Sequence, residues 1–403
     1  MIQIGKFKIE SKKEKTKKRL NIVLMILGLI IIILISVLVG MHFTKSEPDN
    51  KPVDKPIGKP EEKPKPDELV DCDLGFELPI EGSSGYPIST INLKEENKAG
   101  SQNIGTIPPG DAFKILSESG NWWKVNYKGK IGWVDNRVCM INLPDIIPSI
   151  IYDNTNSYGS RFKSSGYDLK DITYRKLYET YLYNNRLERK EYVMPIIYPM
   201  AKKIYAVQKA ALKNNEALLI YETFRPYDTQ MKVANAVTEL MKNNPYVDKG
   251  INTNGWSISW FIATSVSGHQ QGHSVDLTLV KIDETEAKSM GKYKYMEVID
   301  YTPYSMPTDI HELSIRATKF QYPVWGINSW INVPFSSTMT EGAKKLHTYC
   351  LNTNLSPLAS EWWHFDDFDA KAIMENLGYS SVKGDYFLNG CVSEKYNDLK
   401  ESK

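Results

Sequence analysis

The sequence predicts an α+β domain with an antiparallel sheet and helices, preceded by a small all-β barrel and one transmembrane helix. Three observations lead to this prediction. Residues 22–43 form an almost uninterrupted apolar run, residues 71–142 contain short alternating runs separated by turn residues, and the region from residue 149 mixes helical and strand periodicities. With 403 residues, of which 41% are hydrophobic, the chain is long enough to bury at least one large core.

The N-terminal part of the sequence joins a basic arm to the apolar run. Residues 1–20 contain seven Lys and one Arg against two Glu. Residues 21–43 can cross a bilayer core of about 30 Å, and the run is longer than the apolar part of a cleaved signal peptide, which has about 7–15 residues. The positive-inside rule then predicts a single-pass protein of the cell membrane, with the arm in the cytoplasm and the remainder extracellular. This position of the arm argues against a nucleic-acid partner.

Residues 44–70 separate the apolar run from the first predicted domain. They contain six prolines among Lys, Asp and Glu, with little to bury. This composition predicts an extended linker, which would suit a spacer into a thick cell wall of the Gram-positive type.

Residues 71–142 are predicted to form the small barrel. Strand patterns occupy 113–115, 123–127 and 131–134, and Lys128-Gly129 is typical of a tight turn. The motifs in 104–110, 120–125 and 132–134 resemble the bacterial SH3-like domains that are appended to wall hydrolases. The resemblance implies binding to cell-wall glycan or peptide, whereas burial of Trp122 and Trp133 in a core is the alternative.

Two short stretches carry the chemistry. The first, residues 267–276, reads Ser-Gly-His-Gln-Gln-Gly-His-Ser-Val-Asp, and the second, residues 361–364, reads Glu-Trp-Trp-His. Two imidazoles and one carboxylate, from His269, Asp276 and His364, match the protein ligands of a catalytic zinc whose fourth position is left to water. Glu361 would be the base for that water.

The pattern around these residues predicts their local structure. Alternation from Val275 onward begins a strand at Asp276 and directs its carboxylate away from the core. Gly268 and Gly272 make a helix through this stretch improbable, so we leave His273 out of the metal site. Glu361 and His364 are three residues apart, so a bulge or tight turn is needed to bring both to one metal.

These motifs resemble the D-alanyl-D-alanine carboxypeptidases of the vancomycin-resistance type, which are LAS-type zinc metallopeptidases related to lysostaphin and hedgehog folds. Ser-x-His-x-x-Gly-x-Ala-x-Asp and Glu-x-Trp-His match, with Ser274 in place of the usual Ala. Phe224-Arg225-Pro226 and Gln230 match a further element of the family, so that the resemblance covers residues 149–392. Residues 393–403 are left as a tail.

The resemblance implies a zinc D,D-carboxypeptidase that removes the terminal D-Ala from peptidoglycan stem pentapeptides. Glu361 would be the general base, and Arg225 would stabilise the oxyanion. Gln230, Ser267 and Trp362 would bind the substrate. Three alternatives stay open: an L,D-carboxypeptidase acting on tetrapeptide stems, a dipeptidase acting on free D-Ala-D-Ala, and a wall-binding scaffold without catalysis. Routine wall trimming and antibiotic resistance also both stay open as the physiological task.

Two expectations concern the construction of the whole chain. Cys72, Cys139, Cys350 and Cys391 allow three disulfide pairings, and four free thiols are an equal alternative. Because the barrel supplies none of the predicted catalytic residues, residues 149–403 alone are expected to keep activity on short peptides.

Overall fold

Two β-sheets, two short hairpins and seven α-helices build residues 69–396, the part of the chain that the structure, a computed structural model, describes. The seven helices are α1 (Tyr198–Leu212), α2 (Tyr227–Asn243), α3 (Pro245–Ile251), α4 (Ile258–Phe261), α5 (Gly268–Gln271), α6 (Glu341–Leu351) and α7 (Phe368–Asn376).

The first sheet is antiparallel and curls into a half-barrel. Its strands, in chain order, are β1 (Ser84–Pro87), β2 (Ile91–Lys94), β3 (Asn103–Ile107), β4 (Phe113–Ser119), β5 (Trp122–Tyr127), β6 (Lys130–Asp135), β7 (Cys139–Asn142) and, after two intervening hairpins, β13 (Pro195–Ile197). Their spatial order is β13-β7-β1-β4-β5-β6-β2-β3. The predicted turn joins β5 to β6, with φ of 51° at Lys128 and 86° at Gly129, which suits a two-residue hairpin.

The second sheet is mixed and carries the site. It comprises β8 (Ile151–Tyr152), β14 (Glu216–Glu222), β15 (Ser274–Met290), β16 (Tyr293–Pro303), β17 (Ser356–Pro357) and β18 (His364–Asp366). The order is β17-β18-β15-β14-β8, and β16 pairs with the distal half of β15. All pairs are antiparallel except β8 with β14. The two hairpins are β9 (Lys163–Ser164) with β10 (Tyr167–Asp168), and β11 (Tyr181–Asn184) with β12 (Arg189–Tyr192).

The predicted fold class is wrong in its N-terminal elements. The β region is an open half-barrel and not a closed barrel, because β3 and β13 at its two ends do not pair. No helix within residues 69–396 is long and apolar enough to cross a membrane, so the structure does not support the predicted single-pass membrane location. The apolar run at 22–43, on which that prediction was based, the basic arm and nearly all of the linker lie outside the described residues.

The hydrophobic core is continuous across the predicted boundary between residues 142 and 149. Trp123 of β5 is fully buried and packs edge-on against Tyr198 of α1, with 4.6 Å between the ring centroids. Met194, Ile196 and Ile197 belong to the same core as the half-barrel. Trp122 and Trp133 are half-buried. The half-barrel and the site-bearing sheet therefore share a core, and the half-barrel takes its strand β13 from the region predicted to be a separate domain.

The C-terminal segment also binds the half-barrel. The Asn389 amide donates to the Gly110 carbonyl at 2.9 Å, and the Glu394 amide donates to the Gly82 carbonyl at 2.7 Å. The Ser393 hydroxyl donates to the buried carboxylate of Asp145 at 2.6 Å. Residues 393–396, the described part of the predicted tail, are thus integrated in the fold. The four cysteines are free thiols.

The pairing of β13 with β7 leads us to expect that residues 149–403 alone do not fold, the opposite of the expectation from sequence. A chain of residues 149–403 would lose β7, the partner of β13, and expose Met194, Ile196, Ile197 and Tyr198, each worth about 1.5–3 kcal/mol when buried. We expect this chain to lack a cooperative thermal transition and near-ultraviolet circular dichroism, while residues 69–403 keep both. A sharp native-like transition for 149–403 would show that the half-barrel is dispensable.

Candidate metal centre and active site

The register of the second sheet places three acidic or imidazole side chains in one row. Asp276 of β15 lies opposite His364 of β18 and, on its other side, opposite Glu222 at the end of β14. Directly paired residues in antiparallel strands have Cβ atoms about 4.5–5.5 Å apart on the same face. A β-bulge between Ile220 and Glu222 brings Glu222 into this row. As the alternation predicted, Val275, Leu277 and Leu279 face the core.

His269 reaches the same point from α5. This element is a single helical turn, which the sequence did not predict, and Gly272 ends it with φ of 75°. The turn is too short to carry His269 and His273 on one helical face. It directs His269 toward the sheet, where its ring lies 4.9 Å from that of His364.

The structure thus brings His269, Asp276 and His364 together with spacings that suit a metal. Nε2 of His269 lies 3.2 Å from Nδ1 of His364, which lies 2.9 Å from Oδ1 of Asp276. Oδ2 of Asp276 is 3.3 Å from Nε2 of His269. Zinc with ligand bonds of about 2.1 Å gives ligand–ligand distances of roughly 3.4 Å in a tetrahedron, so the two ring nitrogens and the carboxylate oxygens have nearly the required separation.

The remaining ring nitrogens fix the tautomers. Nδ1 of His269 lies 2.6 Å from the Thr223 carbonyl oxygen and must donate to it. Nε2 of His364 lies 3.3 Å from Oδ1 of Asp366, which likewise requires a donor. When His364 is neutral, as a metal ligand must be, the two nitrogens that face each other both lack hydrogen and can bind one cation between them. The donor set fits zinc on this ground.

The charge around His364 also favours a cation. Burial disfavours the protonated ring, but the carboxylates of Asp366 and Asp276 outweigh it and raise the pKa of His364 to about 10. Asp366 is held in turn by the hydroxyl of Ser274, its cross-strand partner. Ser274, the one departure from the family motif, thus anchors a carboxylate that orients a predicted ligand.

A second cluster, Glu222, Asp276 and His311, also offers metal-ligand atoms. Arg225 already provides positive charge to the two carboxylates of this cluster. The guanidinium donates to Glu222 through Nε, at 2.8 Å, and through Nη2, and Nη2 also lies 3.1 Å from Oδ2 of Asp276. A cation next to this guanidinium would be repelled, so the first cluster is the better metal site.

Glu361 lies beside the cluster without being part of it. A tight turn precedes β18, as the spacing of Glu361 and His364 required, and places Oε2 of Glu361 3.7 Å from Nδ1 of His364. This distance exceeds those within the triad. Burial, reinforced by the charge of Asp276, raises the pKa of Glu361 to about 8. A carboxylate that exchanges a proton near neutral pH suits general acid–base chemistry.

A cavity of about 510 Å³ connects these groups. His269, Asp276, Glu361 and His364 line it, together with Ser267 and Trp363. Trp362, predicted as a substrate contact, is buried outside the cavity wall and donates from its indole N–H to Thr308 at 3.0 Å. Its neighbour Trp363 contributes to the cavity wall instead.

Arg225 and Gln230 are buried and largely occupied. Nη1 of Arg225 donates to Oε1 of Gln230 at 2.6 Å, and Nε2 of Gln230 donates to the Ala263 carbonyl at 2.8 Å. Both ends of the amide are thus used to hold Arg225. Pro226 precedes α2 as its N-cap residue. Ser267 lies at the start of α5 and donates its hydroxyl to Gln270 at 2.8 Å.

Sequence reasoning missed four groups around the site: Glu222, His311, Lys319 and Asp366. Lys319 is fully buried, and its ammonium donates to the His364 carbonyl at 3.1 Å and lies 3.7 Å from the centre of the Phe365 ring. Burial lowers the pKa of Lys319 to about 7. The His-Phe-Asp order of β18 placed Asp366 two residues after His364, on the same face of a strand, and that spacing was available in the sequence.

Removing a ligand and removing the base are expected to have different results. His364→Ala takes away one of three protein ligands and should lower both zinc content and activity. Glu361→Gln keeps the shape of the side chain and removes no ligand, so zinc stoichiometry should stay unchanged while turnover falls about 10²- to 10⁴-fold. Zinc would be measured by atomic absorption after dialysis. Loss of zinc from Glu361→Gln with retention by His364→Ala would reverse the assignment.

Arg225→Lys tests the buried charge network. One ammonium cannot donate to Glu222, Asp276 and Gln230 in the planar arrangement of the guanidinium, so a buried carboxylate loses its partner. We expect the free energy of unfolding to fall by about 3 kcal/mol in denaturant titrations. The matched control is Arg316→Lys on the surface, where the ion pair with Glu312 spans 4.0 Å and should contribute at most about 1 kcal/mol. Equal stability of both variants would contradict the network.

Comparison with known proteins accounts for part of this chain. Residues 89–138 match the family model of the bacterial SH3 domain, which spans β2 to β6 and the short turn after them. A search of curated proteins finds no match for the chain. The half-barrel therefore contains a bacterial SH3 domain, and the candidate metal centre lies outside the matched residues.

Proposed function

We propose that this protein is a zinc-dependent D-alanyl-D-alanine carboxypeptidase that removes the terminal D-Ala from peptidoglycan stem pentapeptides. The observation that carries the proposal is that ring nitrogens of His269 and His364 face each other beside Asp276, with the carboxylate of Glu361, outside this triad, in the same cavity. The peptide class comes from the resemblance of the two motifs to that family of peptidases.

His269, Asp276 and His364 would hold the metal. A bound zinc ion supplies Lewis acidity and lowers the pKa of a coordinated water to about 7. Glu361 lies close enough to accept the proton of the attacking water and to return it to the leaving amine nitrogen. Without a metal, burial raises the pKa of Glu361 to about 8, and a bound cation would favour the ionised form that accepts a proton.

Arg225 influences the reaction mainly through the carboxylates that its guanidinium contacts. Four of its five N–H groups donate to Glu222, Asp276 and Gln230, and one N–H of Nη1 remains for a substrate oxygen within the described residues. The guanidinium lies close enough to Glu361 to favour its ionised form. We infer that Arg225 chiefly maintains the ionised ligand Asp276 and adds a smaller contribution to oxyanion stabilisation.

The bacterial SH3 domain supports a partner of the same class. Many wall hydrolases carry such domains next to a catalytic domain, and here the domain shares a core with the candidate site. We propose that it binds cell-wall glycan or peptide and holds the catalytic cavity near stem peptides. Glu361 is not one of the three proposed metal ligands. A wall-binding scaffold without catalysis would therefore have no use for this buried carboxylate.

The direct test is a substrate assay with the zinc-loaded, full-length protein. Pentapeptide stems ending in D-Ala-D-Ala should release one D-Ala per molecule, identified by mass spectrometry, and a chelator should abolish release until zinc is restored. Tetrapeptide stems provide the matched comparison. Release from tetrapeptides alone would establish the L,D specificity instead. If the zinc-loaded protein released no amino acid from either stem, the proposal would be contradicted. This conclusion requires that the native protein and Glu361→Gln bind zinc equally.

A further inference from the structure

His311 is a buried histidine that belongs to none of the sequence motifs. One of its ring nitrogens, Nε2, faces the predicted metal ligand Asp276. Its ring is 1% exposed and forms part of the cavity wall. Nε2 lies 3.1 Å from Oδ2 of Asp276 and 3.7 Å from Oε2 of Glu222. Within residues 69–396, Nδ1 has no hydrogen-bond partner. All polar contacts of the imidazole are thus made to carboxylates through one nitrogen.

The backbone of His311 adopts a conformation that costs energy. Its φ is 63°, in the left-handed region that residues with a side chain seldom occupy. Such conformations persist where neighbouring contacts hold them, and they concentrate at functional sites. A histidine placed merely to fill the core would not require this strain.

The loop of residues 163–166 holds the strained segment. The Lys163 amide donates to the His311 carbonyl at 3.1 Å, and the Leu313 amide donates back to the Lys163 carbonyl at 2.7 Å. The carboxylate of Glu312 accepts from the amides of Ser165 and Gly166. These bonds on both sides of His311 fix its Cα–Cβ direction toward the sheet.

Phe162, which immediately precedes that loop, fixes the plane of the ring. Its ring stacks on the imidazole of His311 with 4.2 Å between centroids and an angle of 11°. The guanidinium of Arg225 lies 5.0 Å from the centre of the same phenyl ring. Trp363 meets His311 edge-on at 6.0 Å. Phe162 thus contacts both groups that donate to Oδ2 of Asp276.

We propose that His311 is a positioning residue for Asp276, which it holds by donating from Nε2 to Oδ2 so that Oδ1 is directed toward the metal. This inference rests on the proposed zinc site. With Oδ2 bonded to His311 and Arg225, rotation of the carboxylate is blocked, and Oδ1 stays 2.9 Å from Nδ1 of His364. Groups that orient a metal ligand in this way typically change metal affinity about 10- to 100-fold when removed.

The test separates the hydrogen bond from the packing of the ring. His311→Phe keeps an aromatic ring for stacking on Phe162 and lacks the donor. His311→Gln lacks the ring and keeps an amide donor at about the place of Nε2, whereas the shorter His311→Asn places its amide too far from Asp276. Zinc dissociation constants are measured by competition with a chromophoric chelator, and the cobalt-substituted proteins are compared by visible absorption, which reports ligand geometry.

His347→Gln is the matched control. His347 is also a buried histidine with an unpartnered Nδ1 within the described residues, but it lies among the rings of Phe320, Trp330 and Phe335. It has no carboxylate partner there. Its replacement should leave the zinc dissociation constant and the cobalt spectrum as in the native protein.

We expect His311→Phe and His311→Asn to bind zinc about 10- to 100-fold more weakly, with an altered cobalt spectrum, and His311→Gln to recover most of the affinity. Native affinity in His311→Phe would overturn the inference. So would equally weak binding by the Gln, Asn and Phe variants, because the ring itself would then be required. Failure of the native protein to bind zinc would instead contradict the proposed function, which keeps the two results distinct.

Discussion

The structure around the candidate site depends on one buried carboxylate, that of Asp276. Burying an ionised carboxylate is unfavourable by several kcal/mol unless charged or hydrogen-bonding partners surround it. Burial alone would raise the pKa of Asp276, but His269, His311 and His364 outweigh burial and hold that pKa well below its usual range. Each oxygen therefore has its own partners, with His364 at Oδ1 and Arg225 and His311 at Oδ2.

The charge balance around this carboxylate supports the proposed cation. Four carboxylates are buried here, those of Glu222, Asp276, Glu361 and Asp366, and the buried basic side chains of Arg225 and Lys319 lie beside them. Arg225 is committed to Glu222 and Asp276, and Lys319 donates to a backbone carbonyl. A divalent ion between His269, Asp276 and His364 would offset the remaining negative charge. Glu361, outside that triad, would keep its carboxylate free for proton transfer.

The proposed ligands and base could be named from sequence because the motifs that contain them are local and chemically distinctive. His269, Asp276, Glu361 and His364 follow from their types and spacing, and the alternation after Val275 gives the strand and the direction of Asp276. Of the groups around them, Asp366 could have been found from its spacing to His364, but the others could not. His311 and Glu222 reach Asp276 from other segments through tertiary contacts, and the strained φ of His311 leaves no signal in a side-chain pattern.

The division of the chain into domains was harder to predict from sequence, again because it depends on tertiary contacts. Strand patterns in 113–134 correctly gave β4 to β6, and the matched SH3 domain lies in this region. The short strand β13, which completes the half-barrel from a distant part of the chain, has only three residues and no distinctive pattern. The sequence therefore suggested separable units where the structure has one continuous core, and it gave no hint that residues 389–394 return to the half-barrel.

The most direct test of the account is the position of the metal in crystals of the zinc-loaded protein, found by anomalous scattering at the zinc edge. The account predicts a single peak at about 2.0–2.2 Å from Nε2 of His269, Nδ1 of His364 and a carboxylate oxygen of Asp276, with Glu361 outside bonding distance. A peak between Glu222 and His311, or a direct bond from Glu361 to the metal, would contradict it.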